Sequence, residues 1–366
     1  MQRILVLILF VLMLDACSSG KAALKKGDYY ESVIESVHRL RSSPDNKKAK
    51  TVLATAYPLA IQYIDSDIQN KITAEDPAKW RNAVRGYESI NYLADQIKTS
   101  PGAMKIISTP ATRFKELADA KGKAADESYE FGINALMKNT REDAKQAYFA
   151  FKDANTFQPG FKESIEMMTQ AEFNATLRVA YEEINASRVN YGSLIPVIRT
   201  VERQFLSFKP ISQKDTVPPQ QYLRIIFNNY QEDSRFSITT STEELKKDVK
   251  TGTKKGPDGK DVDVMQTVTA KVTYFHKTKR AVAQASFNVV DASSNGMLQN
   301  QNVDGVSSWQ YDWAIYTGDA RALTQNVVNL TKLRESIPNE QYLFNQAMTN
   351  LQSNLASQLK SFYSQY

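Results

Sequence analysis

The spacing of apolar residues changes once along this 366-residue chain, near residue 174, and that change limits what it can fold into. Before it, apolar side chains recur every three or four residues. After it, long stretches alternate every second residue. A period of 3.6 residues lines one stripe of a helix, and a period of two lines one face of a strand. The chain therefore predicts an α+β protein in two parts: a helical region over 21–173 and a mixed α/β region over 174–366.

In the first part, Val52, Ala56, Leu59, Tyr63 and Ile64 make one stripe of a helix over 47–68. Asp76-Pro77 opens the next helix, whose stripe is Trp80, Val84, Tyr87, Ile90, Leu93 and Ile97, with Pro77 suited to a first turn. Ala135, Ala147, Phe151, Ala154 and Pro159 then follow at offsets of 12, 4, 3 and 5. With Gly27-Asp28-Tyr29 as a helix-to-helix turn and Pro44 closing the second helix, this set resembles the tetratricopeptide repeat. The resemblance implies alanines where paired helices cross and an aromatic between them, with Phe131 standing for the large residue expected earlier. A generic antiparallel bundle would carry the same stripes. Either arrangement offers helix faces to a partner. The polar positions that would meet one are Lys25, Lys26, Arg39, Lys138, Arg141 and Lys145.

In the second part, 175–181 alternates with Leu177, Val179 and Tyr181 on one face, while a helix continuing through Ile165, Met168, Phe173 and Leu177 fits the same residues. A helix is predicted over 191–205, and a strand over 222–227. Six lysines between 242 and 263, with three glycines and several aspartates, predict a disordered solvated loop, since such a stretch has little to bury. Val268, Ala270, Val272, Tyr274 and His276 alternate with polar neighbours. After Lys277-Thr278-Lys279, read as a short turn, Ala281, Ala283, Ala285, Phe287 and Val289 alternate again. Asn295-Gly296 supplies a hairpin turn into a third strand over 297–303, completing a three-strand antiparallel meander. A long C-terminal helix from about 338 carries the stripe Phe344, Ala347, Met348, Leu351, Leu355, Leu359 and Phe362.

This order of elements resembles the small α/β domain of the curli-secretion lipoprotein, of the TolB N-terminal region and of the lipoprotein activators of penicillin-binding proteins. The residues that carry it are 177–181, the hairpin Phe287-Asn288-Val289-Val290-Asp291 to Asn295-Gly296-Met297-Leu298, and Gly318-Asp319. The resemblance implies envelope assembly or secretion as a setting, and a ring-forming channel component as one role within it. No hairpin of continuous apolar length stands out in the sequence as a membrane-inserting pair.

The first residues fit that setting. Arg3 precedes an apolar run over 4–14, too short to span a bilayer and of signal-peptide proportions. Leu14-Asp15-Ala16-Cys17 follows, and resembles the lipobox of bacterial lipoproteins. That implies a signal peptide over 1–16, acylation of Cys17 and a tether over 17–20. No acidic cluster follows Cys17, which by the rules of such lipoproteins implies the outer membrane, facing the periplasm.

Composition and motifs narrow the chemistry. Cys17 is the single cysteine, so once it is acylated no thiol remains to form a disulfide. The net charge of +6 is spread along the chain, which is no nucleic-acid footprint. The two histidines, His38 and His276, have no companions at metal-ligand spacing. There is no Gly-rich phosphate loop and no Gly-x-Ser-x-Gly elbow. Glu182-Glu183 and Asp261/Asp263 read as solvated pairs. A non-enzymatic protein without cofactor or metal is expected, anchored to the membrane by lipid and working through envelope protein partners. Trp309, Tyr311 and Trp313 alternate on one strand face; they either cover the sheet or contact a partner, protein or glycan.

Overall fold

The structure, a computed structural model, describes residues 19–213, 216–333 and 337–366. The expected signal segment and Cys17 lie outside them. The chain divides between Ala175 and Thr176 into two compact units.

The first unit is helical: α1 Lys21–Lys26, α2 Tyr29–Ser42, α3 Lys47–Thr73, α4 Lys79–Lys98, the single turn α5 Pro101–Met104, α6 Phe114–Leu136, α7 Arg141–Phe157 and α8 Ser164–Ala175. Local chemistry sets the ends. Gly27 closes α1 at φ 79°, and the carboxylate of Asp28 accepts from Glu31 N at 3.0 Å to start α2. Asn46 caps α3 and Thr140 caps α7 in the same way. The helices stack in chain order, α2 on α3, α3 on α4, α4 on α6, α6 on α7 and α7 on α8. Ala135, Ala147, Phe151 and Ala154 are all buried at the α6–α7 crossing. Phe131 is not; it is 46% exposed. The small residue facing the Phe151 ring is Gly132, where a Cβ would come within 2.7 Å of it.

The second unit holds a six-stranded sheet, β1 Leu177–Asn185, β2 Leu206–Pro210, β3 Gln221–Glu232, β4 Ser237–Lys255, β5 Asp261–Asp291 and β6 Met297–Gly318. Residues 177–185 are strand, and the preceding helix stops at Ala175. The helix expected over 191–205 is only α9, Ile195–Arg199, and the chain then turns at Phe205, φ 64°, into β2, which pairs parallel to β1. β3 also runs parallel to β1, and β5 antiparallel to β3. Two further helices follow, α10 Gln325–Lys332 and α11 Glu340–Tyr363.

The meander differs from expectation in its strands. Lys277-Thr278-Lys279 is no turn: β5 runs through it for 31 residues, paired with β6 in unbroken register from Ala270↔Gly318 to Val289↔Gln299. β3 and β4 pair end to end along its other side. What the sequence presents as a break is an inversion of phase. Val268, Ala270 and Val272 are buried under α10, and Ala283, Ala285, Phe287 and Val289 belong to the other core, with α11. Because successive side chains point to opposite faces, one continuous strand serves both cores only if helices cover opposite faces of it.

The Lys-rich stretch is likewise ordered as strand, with a turn at 256–260 closing the β4–β5 hairpin. Charge complementarity makes this feasible. Lys255 pairs with Asp261 at 3.0 Å, Lys250 pairs with Asp263, and Thr267 donates to Asp248 at 2.6 Å. Opposite charges across a ladder support it, where like charges would not.

On α11, Leu343, Ala347, Leu351, Leu355 and Leu359 are fully buried. Each such leucine contributes about 1.5–3 kcal/mol.

The β5–β6 turn is held by Asp291. Its Oδ1 accepts from Ser293 Oγ at 2.6 Å, Ser293 N at 3.1 Å, and Ser294 N and Oγ at 2.9 Å each. The positive φ of the turn falls on Asn295, at 55°, not on Gly296. The bond from the Ser293 hydroxyl, then those from Ser294, hold the Asp291 carboxyl down at about 2. A carboxyl depressed on folding adds stability above its unfolded pKa, 3.8, and that contribution is lost as pH falls through about 2. Asp291→Ala should therefore flatten the acid end of the stability curve. Urea midpoints taken down to pH 2 check this; an unchanged slope would show the turn does not couple to protonation.

Candidate functional site

The residues with most to offer a partner lie on β5 and β6 past the N-terminal end of α11. Ser307, whose Oγ donates to Leu343 O at 2.8 Å, marks where the helix leaves the sheet. Beyond it, Trp309, Tyr311 and Trp313 stand on the face that α11 covers further back. Across the ladder they pair with Lys279, Lys277 and Phe275 in turn. The rings form one stack: Trp309 lies 6.0 Å from Tyr311, Tyr311 lies 5.7 Å from Trp313, and Trp313 lies parallel on Phe275 at 4.9 Å. Phe236 closes the near end, edge-on to Trp309 at 5.6 Å. Lys277 Nζ sits 4.1 Å from the Phe236 ring centroid, and Lys279 is paired with Glu232.

The sequence offers two roles for the three aromatics, sheet cover or partner contact. They shield a stretch of sheet that neither helix reaches, and each stays half-buried, with one side open. The Tyr311 hydroxyl is shielded and has no hydrogen-bond partner among the described residues. The outer edge of β6 runs alongside. Asn350 and Asn354 of α11 donate to Val306 O and Asp304 O at 2.7 and 2.8 Å, which closes that edge at its middle. Elsewhere β6 pairs with no strand but β5 among the described residues.

The cations of the helical unit have other surroundings. Lys25 and Lys26 are exposed in the last turn of α1, and Arg39 is half-buried in the last turn of α2. Lys138 pairs with Asp143 at 3.1 Å and Lys145 with Glu142 at 2.7 Å. Arg141 Nε donates to Ala175 O, the last carbonyl of α8, at 3.2 Å. In the second group Lys138 thus ties the α6–α7 turn to α7 and Arg141 ties α7 to α8, while the Lys145 pair lies within α7.

The acidic pairs are also spoken for. Glu183 accepts from Tyr191 Oη at 2.8 Å, Ser193 Oγ at 2.7 Å and Leu194 N at 2.6 Å, fixing the approach to α9, and Glu182 pairs with Arg224. His38 is exposed. His276 Nδ1 lies 2.5 Å from Asp312 Oδ1 on the opposite face of the ribbon, beside a groove of about 500 Å³ lined also by Tyr274, Thr239, Ser241 and Asn326. Among the described residues, no group of three or more His, Cys, Asp or Glu side chains could hold a metal ion, and no helix is long and apolar enough to cross a membrane.

Sequence reasoning found the three β6 aromatics and missed Phe236, Phe275, Lys277 and Lys279. The signal was present. Phe275, Lys277 and Lys279 occupy the odd positions left over between the two apolar sets of β5, where a strand has no helix to cover it.

Comparison of the chain with protein-family models, curated proteins and solved structures gives no match.

Proposed function

We propose that this chain is a non-enzymatic, lipid-anchored component of a bacterial outer membrane, facing the periplasm. It docks a protein partner in envelope assembly or secretion. The anchor reading rests on Leu14-Asp15-Ala16-Cys17 and the short apolar run before it. The docking reading is carried by one observation: a half-exposed aromatic stack, backed by the buried Lys277, beside a strand edge of β6 that no other described strand pairs. An added strand would gain main-chain hydrogen bonds from the edge and side-chain contact from the rings. Trp and Tyr in such places dominate interface energy.

A second reading is a ring-forming channel component, and the long β4–β5–β6 ribbon favours it. Its outer edges would pair between copies. The hairpin exceeds the 9–11 residues a membrane strand needs, but Glu243 and Lys247 flank Leu245 on its more apolar face, which favours protein over lipid as the neighbour. A large symmetric oligomer in detergent would select this reading.

The test uses a photo-crosslinking residue at Gln310 in cells, read for adducts to an envelope protein. Alanine at Trp309, Tyr311 or Trp313 should each weaken capture by about 2 kcal/mol, roughly thirty-fold. Melting temperature is followed in parallel because the rings also cover the sheet. Charge reversal at Lys25, Lys26, Arg39, Lys138 and Lys145 should leave capture intact; Arg141 is omitted because it holds α8. If reversal abolishes capture and the alanines do not, the helical unit is the docking surface and this reading fails.

A further inference from the structure

The residues just past Cys17 are not a free linker. Ser19 O accepts from Ser36 Oγ at 3.0 Å, and Gly20 O accepts from Ser32 Oγ at 2.9 Å and from Leu24 N at 3.0 Å. Both serines are fully buried on α2; Ser36 Oγ also reaches Ser32 O at 2.7 Å, so undocking this segment would strip the Ser32 hydroxyl of its acceptor in the interior. Gly20 is buried at φ 76°, and a Cβ there would lie 2.3 Å from Ser32 O. The approach is therefore one only glycine permits. Cys17 lies two residues before Ser19, a reach of at most about 7 Å. On the other side of Gly20, α1 begins at once, with Lys21, Lys25 and Lys26 all exposed.

We propose that the helical unit has no free tether and rests directly on the membrane, with α1 laid on anionic lipid headgroups. The inference depends on the lipid anchor at Cys17. Acyl chains on that residue hold it at the headgroup level, the two-residue reach keeps Ser19 there, and the lysines of α1 meet a negative surface that attracts them. Because the helices stack in order from α1 to α8, the last helices stand away from the bilayer. Ser19 and Gly20 are thereby removed from the tether expected over 17–20.

The lipidated full-length protein, its native thiol consumed by the anchor, is reconstituted in vesicles of phosphatidylcholine with or without phosphatidylglycerol. A spin label is placed at Lys25→Cys on α1 or Glu166→Cys on α8, and its collisions with membrane-dissolved oxygen and aqueous nickel are compared. Position 25 should show a several-fold higher oxygen-to-nickel ratio than position 166, and more so with phosphatidylglycerol. Gly20→Ala, or a Gly-Ser linker inserted after Ser18, should bring position 25 toward the value at 166 while the protein stays membrane-bound. Palmitate incorporation is measured on the same samples. An acylated protein in which position 25 is as aqueous as 166 overturns the apposition and leaves the anchor standing. A chain that takes up no palmitate overturns both.

Discussion

Gly305→Ala should unfold the α/β unit and leave the helical unit folded. The new Cβ would stand 2.1 Å from Ala347 O and 2.3 Å from Leu351 N, both backbone atoms of α11. Overpacking against side chains costs about 1–3 kcal/mol because rotamers can shift. A helix backbone cannot turn aside. α11 would have to lift as a body, breaking the bonds from Asn350 and Asn354 to β6 and exposing Leu343, Leu351 and Leu355. The loss should exceed about 3 kcal/mol, a large part of the 5–15 kcal/mol that domains possess. Hydrogen exchange reads it: amides of β6 and α11 should lose protection while those of α6 and α7 keep theirs. Gly252→Ala is the control, with nothing within 4 Å of the added methyl, and should change stability by no more than about 0.5 kcal/mol. Equal effects at the two glycines would mean that the close crossing of β6 and α11 is not what stabilises this unit.

Phe151→Ala should destabilise the helical unit by about 3–5 kcal/mol. The ring is fully buried, meets Tyr129 edge-on at 5.5 Å and faces Gly132. Its other neighbours include Ala135, Ala147 and Ala171, short side chains that cannot extend into the space it leaves. A cavity that cannot collapse costs more than the transfer of the lost atoms alone. Phe131→Ala, one residue from Gly132 but 46% exposed, should cost less than about 1 kcal/mol. Urea denaturation followed at the helical signal separates the two. If Phe131 proved the costlier, the helix would be rotated from the face described, and the packing of α6 on α7 would need revision.

The sequence by itself determined the elements that bury one continuous face. The stripe of α11, the stripe of α4 and the alternation over 281–289 are each the record of a buried face; on α3 Val52 and Ala56 are buried but Tyr63 is 65% exposed. The small-residue pattern at Ala135, Ala147, Phe151 and Ala154 was legible for the same reason, since close crossing leaves no choice of side-chain size. What lay beyond reach depended on which element does the covering. Periodicity reports that a face is buried and does not report by what. The inversion near residue 277 therefore fits a turn between two strands as well as one strand passing from beneath α10 to beneath α11. Only the placement of those helices on opposite faces makes it one strand, and that leaves the interval between them to Phe275, Lys277, Lys279 and the β6 aromatics. The same holds for 175–185, where helix and strand shared a pattern until β2 and β3 paired on either side of β1. It holds also for Ser19 and Gly20, polar and small residues that read as linker until two buried serines bound their carbonyls. A hydrogen bond between distant residues has no period to betray it, so tertiary structure alone decided where Ser19 and Gly20 go.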